Sequence, residues 1–265
     1  MKRLFIILII ASCSSPEKKP IEIEQVSLSV EKVSDYPELL SKWDFFKVPM
    51  KDLIPASERT FAYEINSPLF SDYAHKARFI QLPTNSAIEY HESEVLNFPK
   101  ETVLIKNFFY PVDFQSPEAD RRIMETRLLI HEANGWEAIV YQWNEEQTEA
   151  KRFLQVESKP VEWKDEQGIL QRVNYNIPSQ PQCKSCHDLS GKMTPVGPSA
   201  RQLNREDQLS NWIEQGWLKV PEEITFPKLA SYTNEAELLD IRARAWLEVN
   251  CAHCHRREGP AKNSG

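Results

Sequence analysis

Two pentapeptides of the same pattern contain four of the five cysteines in this 265-residue chain. Two thiols three residues apart are spaced to form thioether bonds with the two vinyl groups of one porphyrin. A histidine directly after the second thiol is then placed to bind the iron. The pattern predicts two haem c groups, with Cys183, Cys186, Cys251 and Cys254 as attachment points and His187 and His255 as proximal iron ligands.

The same cysteines fit three other kinds of site. Two Cys-x-x-Cys pairs can form a tetrahedral zinc site, disulfides in an oxidising compartment, or a redox-active dithiol of the thioredoxin kind. A thioredoxin motif needs a junction between a strand and a helix, and neither pair is predicted at one. A histidine occurs at a given position with a chance of roughly 1 in 40, so its presence after both pairs favours haem. Zinc and structural disulfides stay open as alternatives.

The ligand on the other face of each iron is marked less clearly. Met193 follows His187 by six residues, and six extended residues reach about 20 Å, so Met193 is the distal candidate for the first haem. No methionine follows His255, and His253 lies inside its own attachment loop, which excludes it as the distal ligand of the second haem. Further distal candidates are Met124, His75, His91 and His131.

A Gly-Pro dipeptide follows each pentapeptide. These are Gly197-Pro198 and Gly259-Pro260. We expect their carbonyl groups to orient the two proximal histidine rings, although simple turn formation also explains them.

The N-terminus has the pattern of a secretory signal. Lys2 and Arg3 precede an apolar run that ends near Ala11 and is too short to cross a bilayer. The stretch Ile10-Ala11-Ser12-Cys13 resembles the lipobox of bacterial lipoproteins, in which the cysteine becomes the lipidated first residue. We expect residues 1–12 to be a signal peptide, Cys13 to be the lipid anchor, and the protein to be exported and held at the periplasmic face or outer membrane. An ordinary signal peptide that contains a cysteine is the alternative.

Composition limits the class of protein and its partners. With 41% apolar and 10% aromatic residues the chain can bury one large or two modest cores. The 18 prolines against 7 glycines favour short extended segments over long helices. Loss of Lys2 and Arg3 with the signal peptide moves the net charge from −7 to −9. This acidic balance argues against nucleic acid and anionic lipid as partners.

Two regions are expected after a polar tether over residues 13–40. Residues 41–178 read as a β-rich domain, with a strand over Glu101–Pro111 and a hairpin that turns at Asn134-Gly135. Residues 77–92 predict a strand, a turn and a second strand.

Residues 179–265 predict a small, mainly α lobe of the cytochrome c type. Flanking prolines place the first pentapeptide in a loop. A helix is predicted over Asp207–Gly216, and a second helix capped by Asn234 delivers the second pentapeptide. The fold class is therefore α+β, a β-rich domain followed by a lobe with two Cys-x-x-Cys-His sites.

Several blocks of the chain, in order, resemble an uncharacterised family of exported two-haem c-type cytochrome proteins found in diverse bacteria. The blocks are SPLFSDYAHKARFIQLP, VLIKNFFYP, ETRLLIHEANGWEAIVYQWNEEQTEA, QCKSCHD with PVGPSARQLN, and RARAWLEVNCAHCHRREGPA. The resemblance runs from about Pro68 to the last residue and implies haem c at the cysteines named above, with no established catalytic activity. Such proteins usually continue beyond the second motif, so we expect a C-terminally truncated chain with an incomplete second haem domain.

The function expected from these features is single-electron relay. The redox partners would be a dehydrogenase, a quinol oxidase or a terminal acceptor, and the membrane would be reached through Cys13. One alternative is a two-haem peroxidase with an open iron, although only 68 residues separate Cys183 from Cys251. Another is a β-domain that binds a sugar or a partner protein, with the haems as its electron outlet. No catalytic residue is predicted.

Overall fold

The computed structural model describes residues 36–263, and a compact unit begins at Pro37. The predicted signal peptide, Cys13 and most of the tether lie outside the described residues. Within the described range the chain has the mixed α+β organisation expected, an antiparallel sheet region followed by short helices. None of the helices in residues 36–263 is both long enough and apolar enough to cross a membrane.

The main sheet has six antiparallel strands in the spatial order β1-β2-β4-β5-β6-β7. Their bounds are β1 Thr60–Ala62, β2 His75–Gln81, β4 Val103–Pro111, β5 Arg121–Glu132, β6 Gly135–Trp143 and β7 Ala150–Arg152. The strand predicted over Glu101–Pro111 is thus confirmed as β4, whose β-branched and aromatic residues suit a largely buried central strand.

Three two-stranded pairs accompany the sheet. They are β3 Ile88–Glu89 with β12 Leu218–Lys219, β8 Glu157–Lys164 with β9 Leu170–Ile177, and β10 Asp188–Leu189 with β11 Lys192–Met193. The helices are α1 Gln180–His187, α2 Ala200–Leu203, α3 Gln208–Glu214 and α4 Leu239–Leu247, with 3₁₀ turns at Leu40–Trp43 and Met50–Asp52. A π-helical turn over Glu248–Ala252 continues α4.

The predicted hairpin is confirmed, but its turn lies one residue earlier than expected. Glu132 pairs with Gly135, so Ala133 and Asn134 form the two-residue loop. Gly135 has a φ of 127°, whereas Asn134 does not adopt a positive φ. Only one of the two residues in the Asn-Gly signal therefore takes the left-handed conformation that this signal normally provides at both positions.

Residues 77–92 contain two strands, as predicted, but the strands do not pair with each other. β3 instead pairs in parallel with β12, and the backbone N–H of Ile88 donates to the carbonyl oxygen of Trp217 at 2.7 Å. A partner 130 residues away is invisible to local pattern reasoning. This pairing ties the β-rich region directly to the segment that follows α3.

The two helices predicted after residue 200 are confirmed as α3 and α4, but the predicted start of α4 is wrong. α3 lies inside the predicted Asp207–Gly216 helix, and Gly216 follows it with a φ of 69°. α4 begins at Leu239 after Leu238, not at the predicted cap Asn234.

Two buried clusters connect the sheet to the elements that follow it. The first core cluster joins Phe61, Ile80 and Leu104 of the sheet to Leu203 and Trp212 of the helices. The second core cluster joins sheet residues to the β8–β9 pair and to α1; its buried members are Ala74, Phe108, Tyr110, Met124, Ala138, Val140, Val161, Trp163, Tyr175, Ile177 and Cys183. The first pentapeptide is therefore anchored in the hydrophobic core.

Candidate haem-attachment site

The first pentapeptide lies on α1 and not in the loop that its flanking prolines predicted. Pro181 falls in the first helical turn, where its missing N–H has no helical partner to lose. The backbone N–H of Ser179 donates to Oε1 of Gln182 at 2.9 Å, one half of a capping box. One helical turn then separates Cys183 from Cys186, which places both thiols on one side of the helix.

His187 is the last residue of α1, and one nitrogen of its ring is available to bind a metal. Its Nδ1 lies 2.9 Å from the carbonyl oxygen of Thr194. A carbonyl only accepts hydrogen bonds, so Nδ1 donates its proton there and Nε2 keeps its lone pair. Burial lowers the pKa of His187 to about 4, which keeps the ring neutral at pH 7. A neutral imidazole oriented by a backbone carbonyl is the form that iron binds.

The carbonyl that orients His187 belongs to Thr194, so the prediction of Gly197-Pro198 in this role is wrong. The β10–β11 hairpin returns the chain to α1, and the backbone N–H of Thr194 donates to the His187 carbonyl at 2.7 Å. Thr194 precedes Pro195, and a residue before proline is biased towards an extended backbone. This bias favours the extended backbone of Thr194 but does not identify His187 as its partner.

The second pentapeptide begins within the last two residues of the π-helical turn, with Cys251 and Cys254 partly buried and His255 exposed. The backbone N–H of Ala261 donates to the carbonyl oxygen of Cys254 at 3.0 Å, so the chain folds back over the motif. Gly259 makes this possible, because a Cβ there would lie 2.4 Å from the same carbonyl oxygen. Gly259-Pro260 thus packs on the pentapeptide, and its predicted role in orienting the His255 ring stays a prediction.

The two pentapeptides lie next to each other although 68 residues separate their first cysteines. After burial, the nearby thiol of Cys186 is the next cause that raises the pKa of the Cys254 thiol. The backbone N–H of Ser190, in the turn between β10 and β11, donates to the carbonyl oxygen of Glu258 at 3.0 Å. The two attachment sites therefore form one region of the molecule.

A paired set of charges holds the end of the second site against the loop before β4. Arg256 donates to both carboxylate oxygens of Glu94, at 2.7 and 3.0 Å. The hydrogen bond to Arg256 is the main cause that lowers the pKa of Glu94. A bidentate geometry of this kind adds orientation as well as affinity.

His253 occupies the boundary between the two sites. Burial is the main cause that lowers the pKa of its ring, and the backbone of Cys186 acts in the opposite direction. Its Nε2 is one of two buried side-chain polar atoms without a hydrogen-bond partner in residues 36–263. Such an orphaned nitrogen is costly unless a further group binds there. Its position inside the attachment loop excluded His253 as the distal ligand of the second haem. Its place beside the first pentapeptide was not predicted.

The four thiols belong to two separate Cys-x-x-Cys-His elements. Within the described part of the chain no group of three or more histidine, cysteine, aspartate or glutamate side chains is placed to hold a metal ion. The four thiols are free, and each pair keeps its own histidine at the next position. Free paired thiols with an adjacent histidine are the residues that covalent haem attachment uses.

Met193 lies opposite Asp188 in the β10–β11 hairpin and packs against the second core cluster. Its role as distal ligand of the first haem stays a prediction. Among the other distal candidates, Met124 is buried at 2% exposure, and His131 stacks on Trp136 with ring centroids 4.4 Å apart. Packing thus accounts for both of these side chains without a metal.

A cavity of about 560 Å³ opens beside the first pentapeptide. Lys184 of α1, Met193, Thr194 and the β5–β6 turn around Trp136 line it. Its volume lies in the range of small-molecule and cofactor sites.

The comparisons with known proteins add no family. No family model, no curated protein and no solved structure matches this chain.

Proposed function

We propose that this protein is an exported, membrane-anchored c-type cytochrome that binds two haems and relays single electrons. Cys183 and Cys186 would hold one haem and Cys251 and Cys254 the other, with His187 and His255 bound to the irons. Bound haem supplies a one-electron couple between ferric and ferrous iron.

The observation that carries the proposal is the state of His187. It follows the second of two free thiols, it is neutral at pH 7, and its Nδ1 is held by the Thr194 carbonyl. The carbonyl fixes the ring orientation, and a ligand held in this way needs little rearrangement when the iron changes its oxidation state.

The proximity of the two sites supports a relay and not two independent centres. The backbone N–H of Ser190 donates to the carbonyl oxygen of Glu258 at 3.0 Å, so the segments that follow the two pentapeptides are joined to each other. An electron that enters at one haem would have a short path to the other. A dehydrogenase or quinol oxidase would supply the electron and a terminal acceptor would receive it, near the membrane that holds a lipidated Cys13.

Optical spectra of the wild type and of His187→Ala test this function. We expect covalent haem in both, with loss of the proximal nitrogen converting one haem of the variant to a high-spin form. Added imidazole should restore the wild-type bands, because it replaces the missing ring.

Lys151→Gln is the control, since it changes an exposed side chain of β7 and should leave the haem bands unchanged. A His187→Ala spectrum identical to that of the wild type would show that His187 does not bind iron. A wild-type haem that is high-spin and binds cyanide would instead favour the peroxidase class.

A further inference from the structure

Three cations lie directly opposite one another on neighbouring strands of the main sheet. Arg78 of β2 pairs in register with Lys106 of β4, and Lys106 pairs with Arg127 of β5. Side chains of directly paired residues point to the same face of a sheet, and like charges in this arrangement repel. We call these three residues the cation row.

The charge of the cation row is only partly neutralised. Arg127 donates to both carboxylate oxygens of the buried Glu125, at 2.9 and 2.5 Å. Arg78 is 5% exposed, and its ion partner Glu64 is largely exposed and lies 3.6 Å away. The ammonium group of Lys106 has no hydrogen bond or ion pair to any residue in the range 36–263 and lies 5.5 Å from the centre of the Phe108 ring.

Burial and the excess of positive charge both lower the pKa values of the lysines in this part of the sheet. Burial and then the charges of Arg78 and Arg127 lower the pKa of Lys106 well below its ordinary value. Lys76, two residues before Arg78 on β2, adds a fourth cation, and burial lowers its pKa to about 8. The ammonium group of Lys76 donates to the carbonyl oxygen of Leu69 at 2.8 Å, so Lys106 is the cation of this group that lacks a hydrogen-bond or ion partner in residues 36–263. An arrangement of this kind is unfavourable unless an anion completes it.

The cation row lies beside the first pentapeptide. The Arg127 guanidinium lies 4.2 Å from the centre of the Phe108 ring, and the Tyr175 hydroxyl donates to Glu125. Phe108 and Tyr175 belong to the same buried cluster as Cys183. On the same sheet face, Leu104 of the first core cluster and Phe108 of the second flank Lys106 along β4. An anion that completed the row would therefore lie close to Cys183.

We propose that Lys106 and Arg78 bind the propionate carboxylates of the haem attached to the first pentapeptide, an inference that rests on the proposed function. Thioether bonds fix the vinyl groups at the two cysteines, and the propionates lie on the part of the porphyrin edge away from them. Arg127, next to Cys183, is occupied by Glu125. Counted from Arg127, Lys106 lies on the next strand and Arg78 on the strand after that. At a strand spacing of about 4.8 Å, Arg78 is about 10 Å from Arg127. Two carboxylates supply the negative charge that the row lacks.

The midpoint potentials of the two haems in Lys106→Gln and Arg78→Gln holoprotein test this proposal. Loss of a cation near one haem stabilises its ferric form, so the reduction equilibrium of that haem should shift by roughly tenfold towards the oxidised state. A tenfold shift is about 59 mV for one electron. The potential of the haem at the second pentapeptide should change less. The infrared bands of the propionate carboxylates should shift in the same variants that change the potential of the first haem.

Two further variants make the result decisive. Lys106→Arg keeps the charge and should retain the wild-type potential, which a role in packing alone would not explain. Lys151→Gln removes an exposed β7 lysine paired with Glu38 at 2.8 Å and should leave both potentials unchanged. If Lys106→Gln and Arg78→Gln give the potentials of the Lys151 control while both haems are bound, the propionate assignment is wrong and the proposed function stands. A wild-type chain without covalent haem overturns both.

Discussion

Replacing Cys183 and Cys186 together with alanine should remove one of the two proposed haems, and replacing Cys251 and Cys254 together should remove the other. Each thioether bond needs its own thiol, so a chain that lacks both thiols of one pentapeptide cannot retain that haem after unfolding. The mass of the unfolded chain and the haem absorbance per chain measure the outcome.

The two double variants should differ in stability. Cys183 is 7% exposed within the second core cluster, so alanine there leaves unfilled space, whereas Cys251 and Cys254 are partly buried near the surface. Ser185→Ala lies between the first pair of thiols and is the control that keeps both haems. A double variant that still carries two haems would contradict the assignment.

Glu125→Gln should lower the free energy of unfolding by about 3 kcal/mol. Glu125 is fully buried, and besides Arg127 it accepts a hydrogen bond from the Tyr175 hydroxyl at 2.5 Å. Burial and then the Glu125 charge raise the pKa of Tyr175, so its hydroxyl stays protonated and donates. Glutamine removes the negative charge and leaves the Arg127 cation without its partner next to Lys106.

Urea unfolding of the holoprotein measures this loss of stability. Glu162→Gln is the matched control, since its ion pair with Arg172 is 3.8 Å long with both side chains more than half exposed. An exposed pair contributes about 0–1 kcal/mol. A Glu125→Gln protein as stable as this control would show that the buried carboxylate is not needed to neutralise the sheet face.

Local sequence patterns were enough for much of the sheet. The apolar run of β4 and the hairpin between β5 and β6 follow from side-chain alternation and a turn signal, both of which act within a few residues. The parallel pairing of β3 with β12 was not predictable, because two-residue strands carry no pattern and their partners are far apart in the chain. The loop predicted from the prolines around the first pentapeptide was wrong, because Pro181 lies in the first turn of α1 and does not break it.

The attachment residues were also visible in the sequence, because a pentapeptide fixes its own geometry. The groups that support them were not. Thr194 reaches His187 through a hairpin, Arg256 reaches Glu94 across 162 residues, and the cation row depends on the register of three strands. Each of these contacts exists only once the chain has folded.

The most direct test of two covalent haems is the mass of the wild-type chain, exported by a bacterium that attaches haem c and then unfolded. Zinc dissociates on unfolding and disulfides add no mass, so only thioether-bound haem remains. If two haems are bound through thioethers, the unfolded chain is a single species that is heavier than the processed polypeptide by two haems and has haem absorbance. A chain of bare polypeptide mass without that absorbance would contradict it.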